Sequence, residues 1–255
     1  MLRPLWAGCD RVVVNGDAAE LQLNTCRVAA AEAVLELQRL CDDDGVELVL
    51  LSGNHDAFIS DRRHLLLDAG RVLITHGDAI HPAVSPWSHG GAERARLTAE
   101  ASDRMPIQDR ADLTHRLDLA RHVGHSEFLR PDTLKANGSS KHLLLRPWRL
   151  AAVAWAWLRT PRWTADLVHR FAPDAEVAVI GHTHRQGQWR VETPDGPKTI
   201  INTGAFAWPA KPWAVLHRPG HLRVHHIKRA GEMCELGDVA GQVDLAPLVA
   251  ARKAA

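Results

Sequence analysis

A chain of 255 residues with 45% hydrophobic and 24% charged residues has the make-up of an ordinary globular protein, which excludes a disordered or fibrous chain and suits one large α/β domain or a domain carrying an insertion. A net charge of +1 argues against a dedicated nucleic-acid binder, and Cys9, Cys26, Cys41 and Cys234 lack the paired spacing of a zinc ribbon or a disulfide framework. With no apolar run long enough for a membrane span and no signal-like segment in MLRPLWAGCDRVVVNGD, a reducing cytoplasm is the expected location.

In chain order, the first element is the β-branched run Val12-Val13-Val14-Asn15, which stops at Gly16-Asp17. The segment Cys26–Leu40, with Val28, Val34, Leu35, Leu37 and Leu40 among alanines and charges, predicts a crossover helix. A second apolar run, Leu48–Leu51, follows and stops at Gly53-Asn54-His55-Asp56. Together these predict a βαβ unit. A third run, Val72–Thr75, leads into His76-Gly77-Asp78.

From Pro82 to Pro173 the strand signal disappears. Helices are predicted near Ala92–Ala101, Ala111–Val123, Leu145–Leu158 and Thr164–Phe171. The block is too long for a connecting loop and reads as a helical insertion over 83–172 between catalytic segments 1–82 and 173–255. From Arg130 to Trp163 seven basic residues face a single acid, Asp132, with Trp148, Trp155, Trp157 and Trp163 in the same stretch. A basic, tryptophan-bearing helix can rest at a membrane surface or cover an amphiphilic substrate, and the plainer alternative is a helix packed on the catalytic domain with its arginines in water.

The fourth run, Val177–Ile180, ends at Gly181-His182-Thr183-His184. Beyond it, turns at Pro194-Asp195-Gly196 and Arg218-Pro219-Gly220 separate strands predicted at Gln188–Glu192, Thr199–Asn202, Trp213–Leu216 and Leu222–Ile227, a more antiparallel layer.

Each of the four runs is followed at once by side chains that bind metals or phosphate. Any one alone is most simply a turn. In an open parallel sheet, however, the carboxyl ends of the strands share one edge, so four loops are expected to deliver these groups into one crevice.

The four motifs, in this order from Asp17 to His184, resemble those of the calcineurin-like metallophosphoesterases, and Asn202-Thr203-Gly204 is similar to that family's closing loop. The resemblance implies a four-layer α/β/β/α sandwich with a helical insertion. It also implies a two-metal centre in which Asp17 bridges, Asn54, His76 and His182 complete one site, and His184 ligates the other. Manganese heads the expected metals, with Fe, Zn or Co as the others that such nitrogen and oxygen ligands suit. The implied reaction is hydrolysis of a phosphate ester or pyrophosphate by metal-bound hydroxide, with His55 as general acid. Asp56 and Asp78 would orient the imidazoles. Arg185, His81 and His89 are candidates for contact with a phosphorylated small molecule or a nucleotide- or lipid-linked pyrophosphate.

The insertion point is shared with UDP-2,3-diacylglucosamine pyrophosphatase-like members, although His55 stands where that subgroup carries Arg. The family's Asp-x-His motif and its strand, expected before Asp17, are not among the first sixteen residues. This leaves two expectations: an active hydrolase whose upstream segment carries the motif, or a catalytically degenerate member serving as a protein-binding scaffold.

Overall fold

The computed structural model describes residues 1–88, 90–128, 147–207 and 210–246. Its first unit is the expected βαβ. Strand β1 (Arg11–Asn15) and strand β2 (Glu47–Leu51) pair in parallel from Arg11↔Glu47 to Asn15↔Leu51, joined by helix α1 (Arg27–Asp43). The helix lays Leu37, Leu40 and Cys41 against Trp6, Val46, Val12 and Leu48, a small core at the foot of this sheet.

The next sheet has five strands in the order β3-β4-β5-β7-β6, where β3 is His64–Leu67, β4 Val72–Thr75, β5 Val177–Ile180, β6 Gly187–Thr193 and β7 Gly196–Asn202. The central strands β4, β5 and β7 run parallel, with β3 and β6 antiparallel at the edges. All four residues of β5 are buried, as expected of a strand covered on both faces.

Alternation along these strands divides two cores. On one face Leu73, Ala178, Ile180 and Ile200 meet Ile80, Val84, Leu117, Val123 and Val168. Those partners come largely from the segment between β4 and β5, which forms helices α2 (Gly91–Arg104), α3 (Leu113–Phe128) and α4 (Pro147–Phe171). On the other face Val72, Val177, Val179 and Ile201 meet Leu222 and Val224. Both belong to a three-stranded antiparallel sheet, β10-β9-β8, built from β8 (Trp213–Arg218), β9 (His221–Ala230) and β10 (Met233–Asp244). The result is a mixed α/β architecture of several sheets and helices.

Three details differ from the expected pattern. The four motif-bearing strands do not share one open sheet, since β1 and β2 form a sheet of their own while β4 and β5 lie in the mixed sheet. The helices expected at Leu145–Leu158 and Thr164–Phe171 are one continuous helix, α4, which passes through Pro161. Strands β3 and β10 carry no match in the predicted set. Leu65-Leu66-Leu67 is short, and β10 contains two glycines and two register shifts that blur its alternation.

Candidate functional site

Although the strands belong to two sheets, the loops after β1, β2, β4 and β5 do meet. The first is Gly16-Asp17, with both residues at positive φ. A side chain on Gly16 would put its Cβ 2.5 Å from His76 Nδ1, so glycine is needed for the imidazole to approach the β1 backbone. His76 Nδ1–H there donates to the Asn15 carbonyl at 3.1 Å. Similarly, a Cβ on Gly53 would fall 2.2 Å from Asp17 Oδ1. The two glycines let three loops close on one another.

Asp56 holds this junction together. Its buried carboxylate accepts from the backbone N–H groups of Gly53 and Ala18 at 2.6 Å each and of Asp17 at 3.2 Å. It therefore fastens the β1 loop to the β2 loop and does not orient an imidazole, as had been expected. Burial pushes its carboxyl above the usual range, with the Asp17 charge adding to the effect.

Asp78 also has another partner. It forms a fully buried ion pair with Arg63, whose Nη2 lies 2.7 Å from Oδ2. Arg63 further donates to the carbonyls of Ser52 and Leu117, tying β2, β3 and α3 together. Burial alone would raise the Asp78 carboxyl, yet the Arg63 guanidinium outweighs it and the group sits below its usual range.

At the floor of the crevice, His76 Nε2 lies 3.1 Å from Asn54 Oδ1, 3.2 Å from Asp17 Oδ2 and 3.2 Å from His182 Nδ1. Three acceptors thus converge on a single ring N–H. His182 Nε2–H donates to the Val84 carbonyl at 3.0 Å, which leaves its Nδ1 lone pair to face His76. Burial opposes a charge on His76, but the adjacent Asp17 prevails and its pKa is pushed up to about 9. Burial together with the His76 charge pushes His182 down to about 4. The two shifts run in opposite directions, favouring an imidazolium on His76 beside a neutral His182. Asp17 is held well below the usual carboxylate range, because the His76 charge overcomes the effect of burial. Its second oxygen accepts from the His55 backbone N–H at 2.9 Å.

This arrangement corrects the metal-centre expectation. Among the described residues no group of three or more His, Cys, Asp or Glu side chains is placed to hold a metal ion. The physical reason is visible at His76. A metal ligand must present a lone pair to the ion, whereas here the side chains turn toward one another, Asp17 Oδ2, Asn54 Oδ1 and His182 Nδ1 each lying 3.1–3.2 Å from His76 Nε2. The expected set of Asp17, Asn54, His76, His182 and His184 does not fit one or two divalent ions. Manganese, Fe, Zn and Co are withdrawn as cofactors, and with them the dinuclear centre, the metallophosphoesterase activity on phosphate esters or pyrophosphates, and the metal-bound hydroxide that His55 would have assisted.

His55 itself is partly exposed and its Nδ1 lies 2.6 Å from Glu20 Oε2. Burial lowers its proton affinity, but the bond to Glu20 and the charges of Asp17 and Glu20 leave it raised overall. Glu20 was not anticipated, since nothing in the Asp17–Glu20 spacing distinguishes it from a solvent-facing acid.

Over this floor opens a crevice of about 340 Å³, lined by Asp17, Asn54 and His182 and bordered by His55, Trp87, Trp157, His184 and Arg185. The His182–His184 loop is braced from beneath by Asn202, whose Nδ2 donates to Gly181 O at 2.8 Å and to Thr183 Oγ1 at 2.9 Å. From above, Trp157 Nε1–H donates to Thr183 O at 2.7 Å. His184 is exposed at the mouth. His81 is not among the lining residues: it packs on Trp163 at 4.6 Å between ring centroids and accepts from Ala83 N–H. His89 lies outside the described residues. Trp87 and Trp157, the aromatic walls, were not predicted as crevice residues, although α4 brings Trp157 there from the tryptophan-bearing stretch.

No protein-family model and no curated protein matches the sequence.

Proposed function

We propose that this chain is a catalytically degenerate relative of the calcineurin-like metallophosphoesterases, with that family's layered α/β/β/α arrangement, and that it acts as a protein-binding scaffold. The observation that carries the reading is the crevice floor. Of the side chains that the family resemblance would assign to metal, Asp17, Asn54 and His182 turn to His76 at 3.1–3.2 Å, while His184 stands exposed at the mouth. A floor knit together in this way holds no group of three or more His, Cys, Asp or Glu placed for a metal among the described residues. What is left open is the volume above it, walled by Trp87 and Trp157 with Arg185 at its border. Aromatic walls with a cationic edge are the composition of a recognition site for one or two side chains of a partner segment.

The test joins metal analysis to site-directed crosslinking. Purified protein exposed to excess Mn or Zn and then desalted should retain far less than one ion per chain, and bis(nitrophenyl) phosphate should not be hydrolysed above the protein-free rate. A photoreactive residue at Ala207, on the crevice border, should crosslink a defined partner in cells, and the same residue at Leu35 on α1 should not. The partner, once purified, should bind the wild-type chain and lose affinity by about tenfold for Trp87→Ala. Stoichiometric metal retention with turnover would overturn the reading, as would crosslinks indifferent to Trp87.

A further inference from the structure

Helix α4 has two faces of different character. Inward, Ala156, Thr160, Thr164, Ala165 and Val168 are buried, with Val153 and Trp157 bordering the crevice. Outward, Trp148 is 65% exposed, Trp155 46% and Leu158 72%. Positions 148, 151, 155, 158 and 162 follow steps of three and four, so Trp148, Ala151, Trp155, Leu158 and Arg162 form one stripe along the helix. Arg159 is exposed beside it. Over Pro147–Phe171 the helix contains four arginines and one acid, Asp166, which lies 3.1 Å from Arg162. Because the inward face is anchored in the core beneath the five-stranded sheet, the stripe is presented on a fixed support.

Large apolar side chains at two-thirds exposure are out of place in water, and what covers them can be argued from charge. A second copy packed through this face would set the same surface, with arginines in excess over acids, against itself, since a two-fold interface pairs a patch with its own image. A surface dense in negative charge has no such conflict. Indole rings also favour the boundary between headgroups and acyl chains, where one edge stays hydrated. No described helix is long and apolar enough to cross a membrane, so the geometry is that of a helix lying in the surface plane. We propose that the outer face of α4 docks on an anionic lipid bilayer, with Trp148, Trp155 and Leu158 in the headgroup region and Arg159 against the phosphates.

Cosedimentation of the full chain with large vesicles tests this. One set is phosphatidylcholine alone, and the other contains a quarter phosphatidylglycerol. The chain should partition onto the anionic vesicles at low salt and bind phosphatidylcholine about tenfold more weakly. Raising the salt should release it. Leu158→Glu and Trp148→Ser, each placed on the exposed stripe and away from the crevice, should both reduce partition by about tenfold while leaving the urea midpoint unchanged. A matched change on another exposed apolar residue, Leu35→Glu on α1, should leave partition as it was. The proposal is overturned if anionic vesicles fail to bind the chain, if neutral vesicles bind equally well, or if neither stripe variant weakens binding. It is also overturned if Leu158→Glu converts a dimer to a monomer in sedimentation velocity, since the stripe would then be a protein interface.

Discussion

The crevice floor and the outer face of α4 handle unusual side chains in opposite ways. On the floor, ionisable groups are buried and each finds a partner: His76 with Asp17, His182 with Val84 O, and Asp78 with Arg63. On α4, apolar groups are exposed and none of the described neighbours covers Trp148 or Leu158. A buried charge without a partner is too costly to persist, so each buried charge on the floor is paired, although Asp78 Oδ1 and Arg63 Nε make no hydrogen bond of their own. An exposed indole costs the folded chain little, so the outer face can be kept for another surface. Substitutions should therefore damage stability strongly on the floor and hardly at all on the helix face.

The largest effect is expected at Arg63. Arg63→Ala would leave Asp78 buried without its counter-charge and should lower unfolding free energy by about 3–5 kcal/mol in urea titrations. The double variant Arg63→Met, Asp78→Leu should recover most of that loss, because it removes the desolvated charge along with its partner. Next is the Asp56 clamp. Asp56→Ala would strip acceptors from three backbone N–H groups and should cost about 2–3 kcal/mol, with faster amide exchange at Ala18 and Gly53.

The histidine pair predicts a stability maximum near neutral pH. His76 is raised from 6.5 to about 9 in the folded chain, so its contribution is complete below pH 6.5 and is lost as pH rises through about 9. His182 is lowered from 6.5 to about 4, so its contribution is present above pH 6.5 and is lost as pH falls toward 4. Urea midpoints measured across this span should fall on both sides. The alkaline fall should flatten in Asp17→Asn, where the charge that holds the His76 proton is gone. A smaller loss, about 1 kcal/mol, is expected for Trp157→Phe, which removes the bond to Thr183 O. Leu158→Glu should change stability by no more than about 0.5 kcal/mol. A loss there comparable to Arg63→Ala would erase the contrast between the two regions.

Much of the framework was legible from local pattern. The β-branched runs at Val12–Asn15, Leu48–Leu51, Val72–Thr75 and Val177–Ile180 are strands, and the residues that end them do converge, because strand ends and their loops obey short-range rules. Their pairing did not follow from those rules, and β1 and β2 stand apart from β4 and β5. The site was legible as a set of residues and misread as chemistry. Asp, Asn and His are the usual ligands of a divalent ion, and they are also the usual members of a buried hydrogen-bond network. Which of the two they form depends on whether their lone pairs face a shared point or one another. That is a matter of distances of a few ångströms between loops up to 165 residues apart in sequence, from Asp17 to His182. Glu20 and Arg63 were invisible for the same reason, since each is defined by a tertiary partner. The exposed Trp148 and Trp155 lie in the stretch already marked by composition, because a helical stripe needs only the helix period.

The pairing of β4 with β5 bears on how the chain reaches its native state. Val72 pairs with Val177 across a segment that includes the three described helices α2, α3 and α4. Closing so long a loop adds only modestly to the entropy of ordering, roughly 0.6 kcal/mol for each doubling of length, but non-local pairings of this kind slow the search. His76 leaves the end of β4 and His182 follows the end of β5, so the floor does not exist until the two strands have found each other. The Gly181 N–H bond to the His76 carbonyl, 2.9 Å long, spans that junction directly. In a pulse-labelled refolding experiment this amide should become protected with the slowest phase, while amides within α1 are protected earlier, which makes the crevice floor a feature that only the fully assembled chain acquires.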